Sequence, residues 1–480
     1  MHNVFDVVIG LEVHAQLSTK TKMWCHCEIA PLALENTKVC EVCSGQPGVL
    51  PVLNKKAVEA VVKLALATNC KINEVSFFDR KNYFYPDLPK GYQITQFHKA
   101  VAEQGFITIP ADDGHLKKIR ITRIQMEEDT GKSTHTENAS LINLNRSGTP
   151  LLEIVGEPDI ASGAEASRYL KKLLAILTYL DINHGNLQDG NFRCDVNLSL
   201  KAKGSDTFGT RTEVKNLNSF KSVEKAIESE IKRQTEILKS GGLVLQETLH
   251  FDIATQVTSV LRSKSDAHDY RYMGEPDLLP LRLSSYFIES IKKDLPELPD
   301  EKAKRFCEEY HLPIYDAGVL TSDQELANYF ETAVKSFKGE AKKVSNWIMA
   351  ELLKLLNQYN VKVRDSAVSP QELSALLNLV HMETISGKIA KDVFEKMYDE
   401  KKTAQQVMQE LGLQQIGNTE SLEEIIQIVL QENPKEVERY RAGEVKLMGF
   451  FVGLVMKASK GQAHPAKTNE LLKKLLASEA

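Results

Sequence analysis

The first half of the chain alternates polar and apolar residues with the period of a β-strand. In Leu11–Leu17 the apolar side chains fall on one side, and Glu12 and His14 fall on the other. The same period returns in Thr122–Glu127 and in Phe192–Ser199. Because successive side chains of a strand point to opposite faces, each segment predicts a strand with one polar face.

These polar faces carry compact acidic, basic and amide side chains: Glu12, His14, Gln16, Arg123, Gln125, Glu127, Arg193, Asp195, Asn197 and Ser199. Strands lying side by side would gather them on one concave surface, which suits a hard cation and a nucleotide phosphate held through it. The alternative is an antiparallel sheet whose wet face has no active site. Glycine-containing turns beside the strands, such as those at Gly131 and Gly148, favour the functional interpretation because backbone near a ligand favours glycine.

The pattern changes along the chain and predicts an α+β fold. Up to about Leu281 strand-like runs dominate, and a proline-rich stretch at 294–300 predicts a boundary. Three helices are predicted before it: Lys55–Asn69, Gly163–Leu180 and Ser222–Lys239. Beyond it the period is that of amphipathic helices, for example Lys343–Tyr359, and a linker at 412–419 precedes a last helical module. The predicted domains are residues 1–294, 295–411 and 412–480.

Composition is that of an ordinary globular protein. The chain has 480 residues, 42% of them hydrophobic and 26% charged, which is too long for one core. No secretory signal is evident, and the longest apolar run, Leu447–Met456, is too short to cross a membrane, so we expect a cytoplasmic protein. The net charge of −5 means that nucleic acid would have to be bound by a local basic patch.

Four of the seven cysteines lie close together in the sequence, at Cys25, Cys27, Cys40 and Cys43. In a cytosolic chain this spacing predicts a tetrahedral zinc site, since four thiolates on two short knuckles fit Zn²⁺. Free buried thiols and redox chemistry are the alternatives. A site with four thiolates is closed, so the zinc would hold the surrounding loop together rather than catalyse.

Nucleotide and nucleic-acid binding have weaker signals. The stretch Phe78–Tyr92 interleaves aromatic and basic residues, which suits stacking on bases, although an aromatic loop that caps a sheet has the same composition. Arg211, Glu213 and Lys215 share one strand face and would either position phosphates or pair in solvent. No phosphate-binding loop is evident, so a nucleotide would bind through carboxylate-held Mg²⁺ and backbone.

Longer segments resemble the GatB family, whose members are subunits of the tRNA-dependent glutamyl/aspartyl amidotransferase. They cover essentially the whole chain in the right order: Val8–His14, Cys40–Cys43, Gly48–Asn54, Glu127–His135, Asn145–Val155, Arg193–Asn197, Glu213–Phe220, Tyr270–Leu278 and Gly461–Pro465. The chain departs from the family pattern at Leu32–Leu34 and Glu41 in the cysteine loop, but all four cysteines remain.

The resemblance implies a three-subunit enzyme that repairs mischarged tRNA. The GatB chain would phosphorylate the side-chain carboxylate of Glu-tRNA(Gln) or Asp-tRNA(Asn) with ATP. Ammonia from the partner amidase chain would then displace the phosphate, and a small third chain would wrap the complex. The implied fold is an antiparallel-sheet cradle, then a helical domain, then a tail domain that contacts the tRNA body.

Specific residues fit that chemistry. The proposed catalytic and metal-binding residues are Glu12, His14, Glu127 and Glu153, with Asp195 holding a second ion or orienting water. Arg193 and Lys215 are candidate phosphate-binding cations. His14 is an unusual ligand for Mg²⁺, so the site would also accept Mn²⁺. Alternation favours Glu127 over Glu128 as the ligand, although a bulge would exchange them.

Other functions and several details stay open. A non-catalytic RNA-binding protein with an acidic docking face is one alternative, and a stand-alone ATP-dependent amide ligase is another. The sequence does not say which mischarged tRNA is used, which metal is bound, or where ammonia travels. The tail has a local excess of cations, which would attract phosphate backbone or form a solvated helical face: Lys446, Lys457, Lys460, Lys467, Lys473 and Lys474 against Glu444, Glu470 and Glu479.

Overall fold

Two structural units make up the chain. The computed structural model describes residues 4–185, 190–217, 219–263, 269–412, 419–459, 463 and 465–477. The units are Met1–Pro299 and Asp300–Ala480. Several predicted features lie outside the described residues: the linker residues 413–418, most of Gly461–Pro465, Lys460 and Glu479.

The first unit combines strands with a few helices. Its strands are β1 Phe5–Gln16, β2 Lys71–Ile72, β3 Val75–Ser76, β4 Asp79–Asn82, β5 Tyr92–Thr95, β6 Ala102–Pro110, β7 Leu116–Glu128, β8 Lys132–His135, β9 Ser140–Asn143, β10 Pro150–Gly156, β11 Phe192–Ala202, β12 Thr212–Leu217, β13 Glu247–Asp252, β14 Val257–Ser263, β15 Met273–Gly274 and β16 Leu281–Arg282. Its helices are α1 Lys55–Ala67, α2 Gly163–Tyr179, α3 Phe220–Lys239 and α4 Ser285–Lys293.

A nine-stranded sheet dominates this unit, in the order β14-β13-β12-β11-β1-β10-β7-β6-β2. Neighbouring strands are antiparallel except for β12 and β13, which are parallel. A separate three-stranded sheet has the order β15-β4-β5. The predicted α+β class is therefore confirmed, with one parallel pair inside an otherwise antiparallel sheet.

Strand β1 shows why these residues form a sheet with two different faces. Ile9, Leu11, Val13 and Ala15 belong to one apolar core, which also contains side chains of α1, α2 and α3. The intervening side chains, including His14, are only partly buried and point to the opposite face. The predicted alternation is confirmed, and the helices cover the apolar face while the polar face is left for the candidate site.

Short polar residues define where the helices begin. The side chain of Asn54 accepts a hydrogen bond from the backbone N–H of Lys56 at the start of α1. The hydroxyl of Ser162 accepts one from the backbone N–H of Glu165 at the start of α2. Because the first turn of a helix has backbone N–H groups without intrahelical partners, such caps stabilise these ends by about 1 kcal/mol each.

The second unit is helical in its described residues. Its helices are α5 Pro299–Glu309, α6 Ile314–Leu320, α7 Gln324–Ser336, α8 Ala341–Trp347, α9 Leu353–Tyr359, α10 Pro370–His381, α11 Gly387–Glu400, α12 Ala404–Leu411, α13 Thr419–Glu432, α14 Pro434–Arg441, α15 Leu447–Ala458 and α16 Pro465–Ala477. Two separate hydrophobic clusters occur, one in residues 306–408 and one in residues 422–476. No described helix combines the length and the apolar character that a bilayer crossing requires.

One predicted helix differs in detail. Lys343–Tyr359 is continuous, but a π-helical segment, Ile348–Leu352, lies between α8 and α9. A π-turn contains more residues than an α-turn, so it shifts the buried face along the helix. Ile348, Leu352 and Leu355 nevertheless stay in the core.

Candidate functional site

Strand β1 lies in the middle of the polar face and aligns the predicted side chains with those of its neighbours. His14 lies opposite Glu153 of β10 and opposite Arg193 of β11. Glu12 lies opposite Asp195 of β11. Directly opposite residues in antiparallel strands have Cβ atoms about 4.5–5.5 Å apart. The register therefore brings acidic and basic side chains from three strands together.

Glu12, His14 and Glu153 form a compact group on this face. His14 Nε2 lies 3.7 Å from Glu12 Oε1 and 3.7 Å from Glu153 Oε2. One possible ligand atom from each residue lies within 4.8 Å of the others. Two carboxylates and an imidazole are donors that suit Mn²⁺, and the carboxylates also suit Mg²⁺. The group therefore fits a divalent cation.

Glu127 lies beside this group on the same face. Its carboxylate accepts hydrogen bonds from Thr95 Oγ1 at 2.5 Å, Gln125 Nε2 at 3.0 Å and Gln93 Nε2 at 3.2 Å. Gln125 also donates to Glu153 Oε2 at 3.0 Å. A single amide thus connects the Glu127 carboxylate to the group around His14.

Glu128 has different surroundings. Its carboxylate pairs with the ammonium of Lys90 and accepts a hydrogen bond from the backbone N–H of Ile94 at 3.0 Å. It is buried and already neutralised by a cation, whereas neutral side chains hold Glu127 next to Glu153. The geometry favours Glu127 as the acid that acts on the polar face.

Burial and neighbouring charges shift the protonation of these groups. Burial, followed by the charge of Glu153, raises the pKa of Glu127 to about 7. Burial disfavours the imidazolium of His14, but the hydrogen bond to Glu153 and the surrounding carboxylates outweigh it and raise its pKa to about 9. Burial also opposes ionisation of Glu153, yet the hydrogen bond with His14 lowers its pKa to about 2. Since a metal ligand must be deprotonated, a bound cation would displace the His14 proton.

The two cations predicted to contact phosphates are both paired with acids. Arg193 donates to Asp129 Oδ2 at 3.0 Å. Lys215 Nζ lies 2.9 Å from Asp195 Oδ2 and 2.7 Å from Glu213 Oε1. A phosphate at this end of the face would therefore compete with these carboxylates for the two cations.

Asp129 was missed by the sequence reasoning although it lies in the same network. It is buried and accepts hydrogen bonds from Gln16 Nε2 at 2.5 Å and from Arg193. Burial opposes its ionisation, but Arg193 and Arg146 hold its pKa below the usual range. Strand β7 ends at Glu128, so alternation had no way to assign a face to Asp129. The run of three acids at 127–129 was the available signal.

Lys81 is a second missed residue. Burial opposes its charge, but the carboxylates of Glu127 and Glu153 contribute to raising its pKa. Its ammonium lies 5.0 Å from the centre of the Tyr270 ring. Within the described ranges no acid lies at ion-pair distance from Lys81, in contrast to Arg193. Its aromatic and basic neighbours in the sequence were a compositional signal only.

The aromatic and basic stretch is partly strand. It contributes β4 and β5 to the three-stranded sheet, and Phe84 and Tyr85 between them are exposed. Nearby, the rings of Phe97 and Tyr272 stack with their centres 3.8 Å apart. Exposed aromatic rings beside the polar face are compatible with base stacking, which stays a prediction.

The four clustered cysteines also converge. Cys43 Sγ lies 3.9 Å from Cys40 Sγ and 4.0 Å from Cys27 Sγ. The sulfur atoms of these three residues and of Cys25 all lie within 4.8 Å of one another. Tetrahedral zinc with Zn–S bonds of about 2.3 Å separates its sulfurs by about 3.8 Å. The thiol cluster, Cys25, Cys27, Cys40 and Cys43, therefore fits zinc.

Two family models match the chain. The GatB/GatE catalytic domain matches residues 7–289, which include the acidic group and the thiol cluster. The GatB domain matches residues 328–476.

Curated relatives are similar over nearly their full length. The GatB chain of aspartyl/glutamyl-tRNA(Asn/Gln) amidotransferase from Thermodesulfovibrio yellowstonii is 52% identical, and the alignment covers 98% of this chain and 99% of the relative. The proteins of the same name from Persephonella marina and Syntrophotalea carbinolica are 49% and 50% identical, over 98% and 100% of this chain and 99% and 100% of the relatives. The chain belongs to the GatB family of tRNA-dependent amidotransferase subunits.

Proposed function

We propose that this chain activates the side-chain carboxylate of Glu-tRNA(Gln) or Asp-tRNA(Asn) with ATP, as part of an amidotransferase. The observation that carries the proposal is the group of Glu12, His14 and Glu153, with Glu127 beside it, inside the region that matches a catalytic domain. The relatives are named for action on aspartyl- and glutamyl-tRNA. Since charged tRNA is used in translation, the proposal places the protein in the cytoplasm.

The proposed reaction has two steps. An oxygen of the substrate carboxylate attacks the γ-phosphorus of ATP, the bond to the β-phosphate oxygen breaks, and ADP leaves. Ammonia then attacks the carbonyl carbon of the acyl phosphate, inorganic phosphate leaves, and the nitrogen loses one proton to give the amide. Phosphoryl transfer depends mainly on positioning and on neutralising oxygen charges.

The polar face of the sheet has side chains for both requirements. Glu12, His14 and Glu153 would hold Mg²⁺ or Mn²⁺, with Glu127 completing the acidic side of the pocket. Such a cation, when bound, supplies neutralisation of the phosphate oxygens. In the proposal Asp195 holds a second ion or orients water through its contact with Lys215.

Cations of the chain would bind the nucleotide. Arg193 and Lys215 would exchange their present carboxylate partners for phosphate oxygens. Lys81 is the better placed of the three, because it faces Glu127 and Glu153 without an acid at ion-pair distance among the described residues. An ammonium there would attract the phosphates to the acidic group instead of leaving them to be repelled by it.

Partners and metals complete the proposal. A partner amidase would supply ammonia from glutamine, and a small third chain would complete a heterotrimer. Zinc would be structural, held by the thiol cluster. Residues 1–294 would form the cradle for ATP and the aminoacyl end, 295–411 the helical domain, and 412–480 the tail domain in contact with the tRNA body.

The decisive experiment uses the purified complex with its partner chains. Each mischarged tRNA is supplied with Mg²⁺, ATP and ammonium salt, so that the glutaminase step is bypassed. We expect ADP release that requires the mischarged tRNA, together with conversion of its amino acid to the amide. Absence of metal-dependent ATP turnover would instead favour an RNA-binding assembly protein. Full activity of the chain without an amidase partner would favour a stand-alone ligase.

A further inference from the structure

Lys22 is a lysine whose side chain is completely buried, with a relative exposure of 0%. Its ammonium donates to Cys43 Sγ at 3.3 Å and to the backbone carbonyl of Leu144 at 3.2 Å. Within the described part of the chain no carboxylate lies at ion-pair distance from it. Burying an unpaired ammonium is costly, so the position of Lys22 needs a negative partner.

The thiol cluster is that partner only if it carries negative charge. Four thiolates around a divalent ion have a net charge of −2, which is expensive to keep in a partly buried site. Cys43, the member that contacts Lys22, is buried. An ammonium in contact with its sulfur reduces the net charge of the cluster and its cation to −1.

We infer that Lys22 is the built-in counter-ion of the metal site formed by Cys25, Cys27, Cys40 and Cys43. The inference rests on the proposed zinc site and adds a residue that is not a ligand. Lys22 stabilises the metal-loaded cluster because its N–H donates to a thiolate and its charge offsets that of the sulfurs. In the metal-free, protonated cluster the same ammonium has no anionic partner.

Lys22 also lies where the cysteine loop meets the acidic site. Ser147 Oγ donates to the carbonyl of Cys43 at 3.2 Å, and the N–H of Met23 donates to the carbonyl of Gly148 at 2.7 Å. The N–H of Gly148 in turn donates to the carbonyl of Asp129 at 2.9 Å. The segment Leu144–Thr149 therefore connects the thiol cluster to the beginning of β10, the strand that bears Glu153.

The test compares Lys22→Met with Lys20→Met in the full-length chain. Lys20 is the matched control because it is exposed and lies two residues away. Zinc content is measured after purification, and zinc affinity is measured by competition with a chromophoric chelator. We expect Lys22→Met to weaken zinc affinity roughly 10–100-fold, as loss of a hydrogen-bond partner of a metal ligand does. Lys20→Met should bind zinc like the wild type.

A second variant guards against misfolding of the first. Lys22→Gln is neutral but keeps an N–H donor for Leu144 and Cys43, so it isolates the charge. We expect it to lose zinc affinity too, and the thiolate-to-metal charge-transfer absorption of its Co²⁺ form to shift from that of the wild type. Its thermal destabilisation should be larger with metal than without.

The outcomes separate the two ideas. Wild-type zinc affinity in Lys22→Gln, or equal destabilisation with and without metal, would overturn the counter-ion role and leave Lys22 as a cap for Leu144. A wild-type chain that contains no zinc and takes up no Co²⁺ would overturn the zinc site itself, and the role of Lys22 with it.

Discussion

The first unit contains two groups of metal-ligating side chains that are built in opposite ways. The thiol cluster comes from one short stretch, Cys25 to Cys43, and its sulfurs are brought together by two turns of backbone. The acidic group draws Glu12, His14 and Glu153 from two strands that are distant in the sequence. One group is local and the other exists only in the folded sheet.

The difference has an energetic consequence. Strands β1 and β10 are hydrogen-bonded to each other and share an apolar core, so the sheet holds the acidic group whether or not an ion is present. The cysteine loop has few buried apolar residues, Cys43 among them, and depends on its metal for order. Changes at the acidic group should therefore affect chemistry, and changes at the thiol cluster should affect stability.

The strongest expected effect is on catalysis. Glu153→Gln removes the charge that faces His14 and a bound cation, and Glu127→Gln removes its neighbour. We expect amidation to fall by at least roughly 10²–10³-fold in either variant, with tRNA affinity nearly intact. Steady-state amidation and filter binding measure the two quantities.

Glu228→Gln is a suitable control for these variants, since it makes the same chemical change on the exposed side of α3. Its activity should match the wild type. Near-normal amidation at ordinary Mg²⁺ in both Glu127→Gln and Glu153→Gln would sink the assignment of the metal site.

The second effect is on stability. Cys43→Ser removes the most buried sulfur of the thiol cluster, and we expect loss of bound zinc and of more than about 3 kcal/mol of unfolding free energy. Metal analysis and chemical denaturation measure these. A mercurial reagent should likewise release one zinc per chain. Cys70→Ser, at a lone thiol bonded to Thr68, should keep its zinc.

Zinc-free protein freshly purified in reducing buffer would contradict this prediction. The four sulfurs would then be buried thiols, and both groups in the comparison would owe their geometry to the fold alone.

A smaller effect is expected at Lys81. Lys81→Met removes the cation that faces Glu127 and Glu153, so ATP-dependent turnover should fall roughly tenfold, equivalent to about 1.4 kcal/mol. Thermal stability should be unchanged or higher, because a partly buried ammonium without a bonded acid is costly. Lys71→Met, on the exposed edge strand β2, is the control. Unchanged kcat and KM for ATP would restrict Lys81 to a structural role.

The smallest effect concerns the second unit, which contains neither group. All five described lysines of the tail are exposed: Lys446, Lys457, Lys467, Lys473 and Lys474. Truncation near Gly412 should weaken affinity for mischarged tRNA and flatten its salt dependence, while ATP binding is spared. Lys473→Gln with Lys474→Gln should reduce the salt slope by about one to two units without removing a helix.

Lys55→Gln with Lys56→Gln, an exposed pair on α1, is the matched control for the lysine pair. If the truncated complex bound tRNA with unchanged affinity and salt slope, the tail would have to be reassigned to contacts with the partner chains.

Local patterns predicted most of the elements. The alternation in β1, β7 and β11 and the caps of α1 and α2 act over a few residues, so they can be recognised without knowing the fold. The parallel pairing of β12 with β13 and the π-helical segment Ile348–Leu352 have no comparable local signal. Both depend on how distant segments pack.

The site divides in the same way. Residue type and spacing by themselves determined the polar faces, the thiol cluster and the family, because these depend on covalent neighbours. Only the tertiary structure decided that His14 lies opposite Glu153, that Arg193 and Lys215 are paired with acids, and that Lys81 faces the acidic group. The physical reason is that strand register and the packing of separate sheets are set by the whole core, whereas alternation is set by each strand alone.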